Sequence, residues 1–257
     1  MVAARGRCRA AVWQSASVRT PAHAGRRRDR DAAGHAVLRA ACGVVLVVAA
    51  ALLVAWVVKA LLVQVFGIPS GSMRDTLVEG DRIVVSRVAP RFADVERGDV
   101  VVFHDPGGWL EPRAVPSHGP VLDAGKRLLQ GTGLLPEDDG EFLVKRVVGV
   151  GGDHVTCCDA EGYVQVDGVA VDESPYLPPG VAPSDFAFDV TVPAGTLFVL
   201  GDNRSDSSDS RVHGGAVGGP FVPVDDVVGT VVAKVWPRLE RVPDGAEVFA
   251  GVPSPTG

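Results

Sequence analysis

The chain has 257 residues, of which 46% are apolar and 22% are charged. This balance is typical of a globular protein with a single membrane segment, and it excludes a polytopic membrane protein, which would need many long apolar runs. The net charge of −6 is unevenly spread: residues 1–39 hold nine arginines and two aspartates, so the rest of the chain carries −13.

The first part of the chain predicts a basic tail followed by a membrane anchor. Residues 1–39 lack apolar periodicity, so we expect a disordered cytoplasmic tail. An apolar run begins at Ala40, and it predicts a transmembrane helix over 40–62. A core helix of this length without polar positions is uncommon, and a cleaved signal has a shorter apolar region. The arginines then follow the positive-inside rule, which is favoured over a nucleic-acid arm.

Beyond the anchor, short β-branched segments separated by turns predict a mainly β domain over 63–240. No long amphipathic helix is indicated, and residues 241–257 are expected to form a C-terminal tail. Asp167-Gly168 between valine-rich runs predicts a hairpin. The predicted strands are Arg82–Val88, Val100–Phe103, Phe142–Val150, Tyr163–Val166, Thr196–Leu200 and Val227–Val235.

A candidate nucleophile follows the apolar run directly, in the sequence Pro69-Ser70-Gly71-Ser72-Met73. Most such serine-glycine pairs are simple turns, so Ser72 needs support from elsewhere in the chain. The hydroxyl of Ser70 and the backbone N–H of Ser72 are candidate donors to an oxyanion, and Gly71 permits a tight backbone path between them.

Lys145 is the candidate general base for this serine. It lies beside Arg146 in an apolar strand, where adjacent residues face opposite sides, so we expect one of the two cations to point inward. Burial disfavours the charged ammonium and lowers the lysine pKa, which would allow it to accept a proton. A histidine-based triad finds no support in the sequence.

A second polar cluster spans residues 201–211 and follows a predicted strand. A flexible loop and a calcium loop are the alternatives to a functional role, but the bidentate glutamate of an EF-hand is missing. The histidines are scattered and the cysteines lack zinc-ligand spacing, so we expect no metal and no cofactor.

Two features leave alternatives open. Trp109 and Leu110 begin a long irregular loop over 104–140, and they either contact the membrane surface or pack within the loop. Cys157 and Cys158 are adjacent, and they either form a strained disulfide or remain as free thiols.

Four motifs in order resemble the bacterial type I signal peptidases, which are membrane-anchored Ser/Lys endopeptidases. These motifs are Pro69–Met73, Gly98–Phe103, Lys145–Gly149 and Gly201–Arg211, and the resemblance spans about residues 40–240. One departure is Asp75, because the family usually has a proline before the threonine at this point.

The resemblance implies a role for each matching residue. Ser72 would be the nucleophile, Lys145 the general base and Ser70 an oxyanion donor. Ser207 would hydrogen-bond to Lys145, and Asp209 with Arg211 would form a supporting pair behind the site. The implied fold is a β-rich catalytic domain with a smaller β-region inserted at about 104–140 and 150–195.

The resemblance also implies an extracytoplasmic domain on a single-pass plasma-membrane protein, with the N-terminus in the cytoplasm. Its expected partners are signal peptides of exported preproteins, membrane lipid and the nearby export machinery, but no nucleic acid. A membrane-anchored β-domain that binds surface partners without catalysis is the alternative. That alternative accounts for the anchor and the strands, but not for the lysine in an apolar strand.

Overall fold

The computed structural model describes residues 39, 41–57, 62–91, 93–110, 119, 122–125, 142–243 and 245–255. The contacts divide the chain into two compact units, 1–54 and 55–257. Residues 41–57 are helical and exposed. Within the described ranges, no helix has the length and apolar character required to cross a membrane. The predicted basic tail, except for Arg39, and parts of the predicted anchor, residues 40 and 58–61, lie outside the described residues.

The second unit is mainly β, as predicted. Its strands within the described residues are β1 Val63–Gly67, β2 Arg82–Ser86, β3 Val100–His104, β4 Phe142–Val150, β5 His154–Cys157, β6 Val164–Val166, β7 Val169–Val171, β8 Phe188–Thr191, β9 Thr196–Leu200, β10 Val222–Pro223, β11 Val227–Trp236 and β12 Glu240–Arg241. Two short 3₁₀ helices span Val224–Asp226 and Ala246–Phe249.

The larger sheet has the strand order β1-β2-β11-β3-β4-β9-β10, with β12 paired to β11, and all its pairings are antiparallel. Alternate residues of β3 enter two different cores: Val101 and Phe103 pack in one, and Val100 and Val102 pack in the other. The interior strands are therefore covered on both faces. For this reason both cations of β4, and not just one of them, are buried.

The smaller sheet has the order β7-β6-β5-β8 and lies within the range 150–195. Its β6–β7 hairpin turns at Asp167 and Gly168, whose φ angles of 51° and 77° are both positive, as a type I′ turn requires. The core of this sheet also contains Phe198 of β9 and Phe249 from the C-terminal 3₁₀ helix. The two sheets are thus joined by a shared core.

Several segments differ from their predicted form. Strand β1 was not predicted, because its apolar residues continue the run that precedes it. The expected tail from residue 241 is packed instead: Phe249 is buried, and the guanidinium of Arg97 donates to the Pro253 carbonyl. Cys157 and Cys158 are joined by a disulfide.

The proposed membrane contact of Trp109 is wrong, because its side chain is only 6% exposed. The indole packs edge-on against Phe103 and stacks on His213, with ring centroids 4.3 Å apart in the stack. Its Nε1–H donates to the Gly219 carbonyl oxygen at 3.0 Å. Because its ring is packed and its N–H is hydrogen-bonded inside the protein, Trp109 packs within the loop.

Gly98 allows a test of how closely the C-terminal segment approaches the large sheet. Its φ is +95°, and a Cβ there would overlap the backbone of Gly245. We expect Gly98→Ala to lower the free energy of unfolding by about 2–4 kcal/mol, measured by urea denaturation, because conformational strain and overlap add. Gly162→Ala is the control: φ is +91° with no atom within 4 Å, so about 1–2 kcal/mol is expected. Equal losses in both variants would contradict the close approach.

Candidate active site

Ser72 lies in a tight loop that follows β1. Hydrogen bonds from the N–H of Arg74 to the Gly71 carbonyl (3.0 Å) and from the N–H of Leu77 to the Met73 carbonyl (2.7 Å) close its turns. The side chains of Met73 and Leu77 are fully buried in the core beneath the loop. These two buried side chains hold the loop backbone in place, while Ser72 stays partly accessible at the surface.

Lys145 reaches Ser72 from the middle of β4. Its Nζ lies 2.5 Å from Ser72 Oγ, and the lysine is only 3% exposed. Burial lowers the pKa of Lys145 to about 8; the carboxylates of Asp209 and Asp202 oppose this shift, and Arg211 adds to it. A sizeable fraction of this lysine is therefore neutral near pH 7–8, and a neutral amine can accept the serine proton.

The turn that begins at Gly201 is bound directly to the serine loop. The Asn203 N–H donates to the Ser72 carbonyl oxygen at 3.1 Å, and its side-chain amide donates to the Gly71 carbonyl oxygen at 2.9 Å. A Cβ at Gly201 would overlap the Ser72 carbonyl oxygen and the Ser207 hydroxyl. Only glycine fits at this position, because the two segments are in contact there.

Asp209 and Arg211 form a buried salt bridge beside this turn, with two charged hydrogen bonds of 2.8 Å. Asp209 also accepts the N–H of Gly201 at 3.0 Å. Burial would raise the pKa of Asp209, but the bonds and charge of Arg211 outweigh burial and lower it. Asp209 thus stays ionised and carries a negative charge toward Lys145.

The two remaining candidate serines have weaker contacts. Ser70 Oγ is exposed and lies 3.4 Å from Ser72 Oγ. Ser207 Oγ is buried and has no hydrogen-bond partner among the described residues, so the expected bond to Lys145 is not formed. The Ser207 hydroxyl contributes to the lowered pKa of Asp209, but the two side chains do not meet the geometry of a hydrogen bond.

A second charge pair involves the residue next to the lysine in β4, and the sequence reasoning missed it. Arg146 is fully buried and binds both carboxylate oxygens of Asp202 at 2.8 and 2.9 Å. Asp202 also accepts the hydroxyl of Thr76 at 2.5 Å, which ties it to the far end of the serine loop. The only sequence signal was an arginine in an apolar strand, which requires a buried acidic partner.

A third buried ion pair connects the site to the segment that follows β7. Arg204 binds Glu173 through two bonds of 2.6 and 2.7 Å, and the Tyr176 hydroxyl donates to the same carboxylate. Burial lowers the pKa of Arg204, but the charge of Glu173 outweighs it and the net shift is upward. The Arg146 guanidinium lies 4.0 Å from the centre of the Tyr176 ring, so the second and third pairs are in contact.

The departure from the family pattern at Asp75 has a conformational counterpart. The φ of Asp75 is +82°, in the left-handed region. A proline ring fixes φ near −65°, so proline cannot occupy this position without changing the loop. The loop therefore follows a backbone path that suits aspartate rather than proline.

In the described part of the chain, no cluster of His, Cys, Asp and Glu has the geometry of a metal site. Two cavities, of about 660 and 450 Å³, have neither Ser72 nor Lys145 in their walls. The two reactive groups that meet at the site are the Ser72 hydroxyl and the buried, partly neutral amine of Lys145.

Comparison with known proteins identifies the family. The model of "Signal peptidase, peptidase S26" matches residues 41–236. The chain belongs to this family of signal peptidases. The resemblance inferred from the four motifs is thereby confirmed, and so is the interpretation of the chain as a serine peptidase rather than a non-catalytic β-domain.

Individual relatives agree with this assignment. The chain is 38% identical to the "Probable signal peptidase I" of Mycobacterium leprae over 197 residues, covering 66% of this chain and 67% of that protein. It is 37% identical to signal peptidase I of Mycobacterium tuberculosis over 190 residues, which is 66% of this chain but 64% of that protein, just under two thirds.

A solved structure, a signal peptidase I from Enterococcus faecalis V583, is 24% identical and has a TM-score of 0.33. The match covers 54% of this chain and 97% of that one. This likeness is too weak to support a conclusion.

The Arg146–Asp202 pair predicts a strong dependence of stability on Asp202. Asp202→Asn would leave the buried guanidinium without its counter-charge, so we expect a loss of about 3–5 kcal/mol in the free energy of unfolding. Asp189→Asn, which removes an exposed carboxylate paired with His154, should cost less than about 1 kcal/mol. Chemical denaturation followed by circular dichroism measures both, and similar losses would disprove the role of the buried pair.

Proposed function

We propose that this signal-peptidase family member removes signal peptides from exported preproteins by a Ser/Lys mechanism, with Ser72 as nucleophile and Lys145 as general base. The observation that carries the proposal is the 2.5 Å contact between Lys145 Nζ and Ser72 Oγ, made by a buried lysine of lowered pKa. A lysine held in water at its ordinary pKa would be a cation and could not accept the proton.

In the first step, neutral Lys145 accepts the Ser72 hydroxyl proton as Oγ forms a bond to the carbonyl carbon of the substrate. The Ser72 N–H and the Ser70 hydroxyl stabilise the oxyanion. Within the described residues the Ser72 N–H has no other acceptor, which leaves it available for this role. The peptide C–N bond then breaks, and the Lys145 ammonium returns the proton to the leaving amine.

In the second step, water attacks the acyl-enzyme ester. Neutral Lys145 accepts a proton from that water, the C–O bond to Ser72 breaks, and the serine hydroxyl is restored with the proton from Lys145. Asp209 and Arg211 act behind the lysine: their salt bridge fixes the charge that Lys145 faces. Ser207 fills the space between Gly201 and this pair, so we assign it a packing role in support of the lysine.

The proposed setting is the outer face of the plasma membrane. The apolar helix at 41–57 and the preceding arginines support an anchor with a cytoplasmic N-terminus, because cations flanking an apolar segment stay inside. A site in this position meets peptides as they emerge from the export machinery, close to lipid. No cofactor is needed for the reaction.

Removal of either member of the dyad tests the mechanism. We expect Ser72→Ala and Lys145→Met each to reduce cleavage of a preprotein by about 10³-fold or more, because nucleophile and base act as a unit. The matched controls are Ser205→Ala, an exposed serine, and Lys234→Met, a lysine paired with Glu240 on the same sheet. Cleavage per folded molecule should be near wild type in both controls. Retained cleavage in either dyad variant would refute the assignment.

The lowered pKa of Lys145 predicts the pH dependence of the rate. Below its pKa of about 8, each unit of acidification reduces the neutral fraction roughly ten-fold, so kcat/KM should fall with a slope of one and level off above pH 8. A rate independent of pH between 5 and 8 would exclude the lysine as base.

The same group also makes stability depend on pH. Because its folded pKa is lowered, the unfolded chain binds more protons between about pH 8 and 10.5, and this contribution to stability rises with pH across that window. Lys145→Met should flatten this part of the stability profile.

A further inference from the structure

His213 lies two residues beyond the polar cluster of residues 201–211, and it is not a member of the proposed dyad. Its side chain is buried, and its Nδ1 atom lies 2.7 Å from the backbone carbonyl oxygen of Asp209. A carbonyl oxygen only accepts hydrogen bonds, so Nδ1 carries a proton and is the donor. In the neutral ring Nε2 is then an acceptor, and the Ser208 hydroxyl lies 3.3 Å from it.

His213 also has an aromatic contact. Its ring stacks on Trp109, with centroids 4.3 Å apart and an angle of 9° between the planes. Trp109 is itself held in place, because its indole N–H donates to the Gly219 carbonyl oxygen and its backbone N–H donates to the carboxylate of Asp105, both at 3.0 Å. The start of the long loop 104–140 thus forms a fixed surface for the imidazole.

The hydrogen bond from His213 adds a restraint to Asp209. The carboxylate of Asp209 is bound by the Arg211 guanidinium and by the N–H of Gly201. The backbone carbonyl of the same residue accepts the imidazole N–H and the N–H of Val212, the latter at 3.1 Å. Asp209 is therefore held through its side chain and through its backbone, and His213 links it to the fixed ring of the loop.

The position of Asp209 matters for Lys145. Burial lowers the pKa of Lys145 to about 8; Asp209 is the charge that opposes this most, ahead of Asp202, and Arg211 adds to the lowering. An Asp209 carboxylate that could move would be attracted by the lysine ammonium, and a closer approach would favour the charged form of the lysine. A fixed Asp209 therefore keeps the amine partly neutral.

We propose that His213 is a positioning residue: its hydrogen bond to the Asp209 carbonyl, supported by the stack on Trp109, holds the Asp209 carboxylate in a fixed place relative to Lys145. Phenylalanine can stack and asparagine can donate, but histidine does both with one side chain. The inference rests on the proposed function and deepens it, because it concerns the surroundings of the proposed base. It also assigns a role to the first residues of the loop 104–140.

Two substitutions separate the hydrogen bond from the stack. His213→Phe keeps an aromatic ring on Trp109 but removes the donor, and the Asp209 carbonyl still has its backbone donor. His213→Leu removes the donor with a smaller side chain and repeats the test if phenylalanine does not fit. His213→Asn keeps a donor, because its amide nitrogen is bonded to Cγ as Nδ1 is. The control is His154→Phe, which replaces an exposed histidine paired with Asp189.

The titration of Lys145 is the direct readout, and it does not require activity. The chain contains four lysines, Lys59, Lys126, Lys145 and Lys234. NMR of the detergent-solubilised full chain with isotopically labelled lysine therefore gives a simple spectrum, which Lys145→Met assigns. We expect His213→Phe to raise the titration midpoint of Lys145 by about 0.5–1 pH unit, since a freer Asp209 favours the ammonium. Wild type, His213→Asn and His154→Phe should titrate alike.

Preprotein cleavage shows whether this shift reaches the reaction. In His213→Phe, kcat/KM at about pH 7 should fall about 3–10-fold and should recover above about pH 9, because only the neutral fraction of the base has changed. A purely structural role of His213 would lower the rate equally at every pH and leave the midpoint of Lys145 in place.

The outcomes distinguish this inference from the mechanism on which it rests. The proposal is overturned if neither His213→Phe nor His213→Leu moves the midpoint of Lys145, or if His213→Asn moves it as far as they do. A shifted midpoint with an unshifted cleavage profile would support the role of His213 and refute Lys145 as the base.

Discussion

The burial of one amine against one hydroxyl is the constraint on which the site depends. Lys145 must be dehydrated to lose its proton near neutral pH, and it must also lie within hydrogen-bond reach of Ser72. Both conditions are met because β4 is an interior strand, covered on both faces by neighbouring cores. An edge strand would leave the lysine in water, where it would keep its charge and could not act as the proposed base.

Nearby carboxylates favour the charged form of a lysine, so they raise its pKa. A buried lysine therefore keeps a lowered pKa only where those carboxylates are paired with other cations. Asp202 and Asp209 both oppose the lowering of the Lys145 pKa. Each of them is bound by an arginine through two hydrogen bonds, Asp202 by Arg146 and Asp209 by Arg211. The arginines thus reduce the net negative charge that the lysine meets, and they fix both carboxylates in place.

These pairs also have a mechanical role. Asp202 binds Thr76 at one end of the serine loop, and Asn203 binds the carbonyl groups of Gly71 and Ser72 at the other. The loop that carries Ser72, the proposed nucleophile, is therefore held by the segment that follows β9. Through Arg204 and Glu173 this segment also connects to the chain beyond β7, so the position of Ser72 depends on residues far from it in sequence.

The sequence alone determined the family and the mainly β class of fold, and it selected the candidate residues of the site. Ser72 and Lys145 could be selected because a serine after an apolar run and a lysine in an apolar strand are exceptions to local patterns, and four ordered motifs indicated the family. Strands such as β4 and the Asp167-Gly168 hairpin follow from local composition. Tertiary structure decided the rest, because partners distant in sequence leave no local signal: both β4 cations are buried, Arg146 finds Asp202, Trp109 packs on His213, and Ser207 has no bond to Lys145. Strand β1 and the packed C-terminal segment likewise follow from long-range pairing and burial, which local residue patterns do not specify.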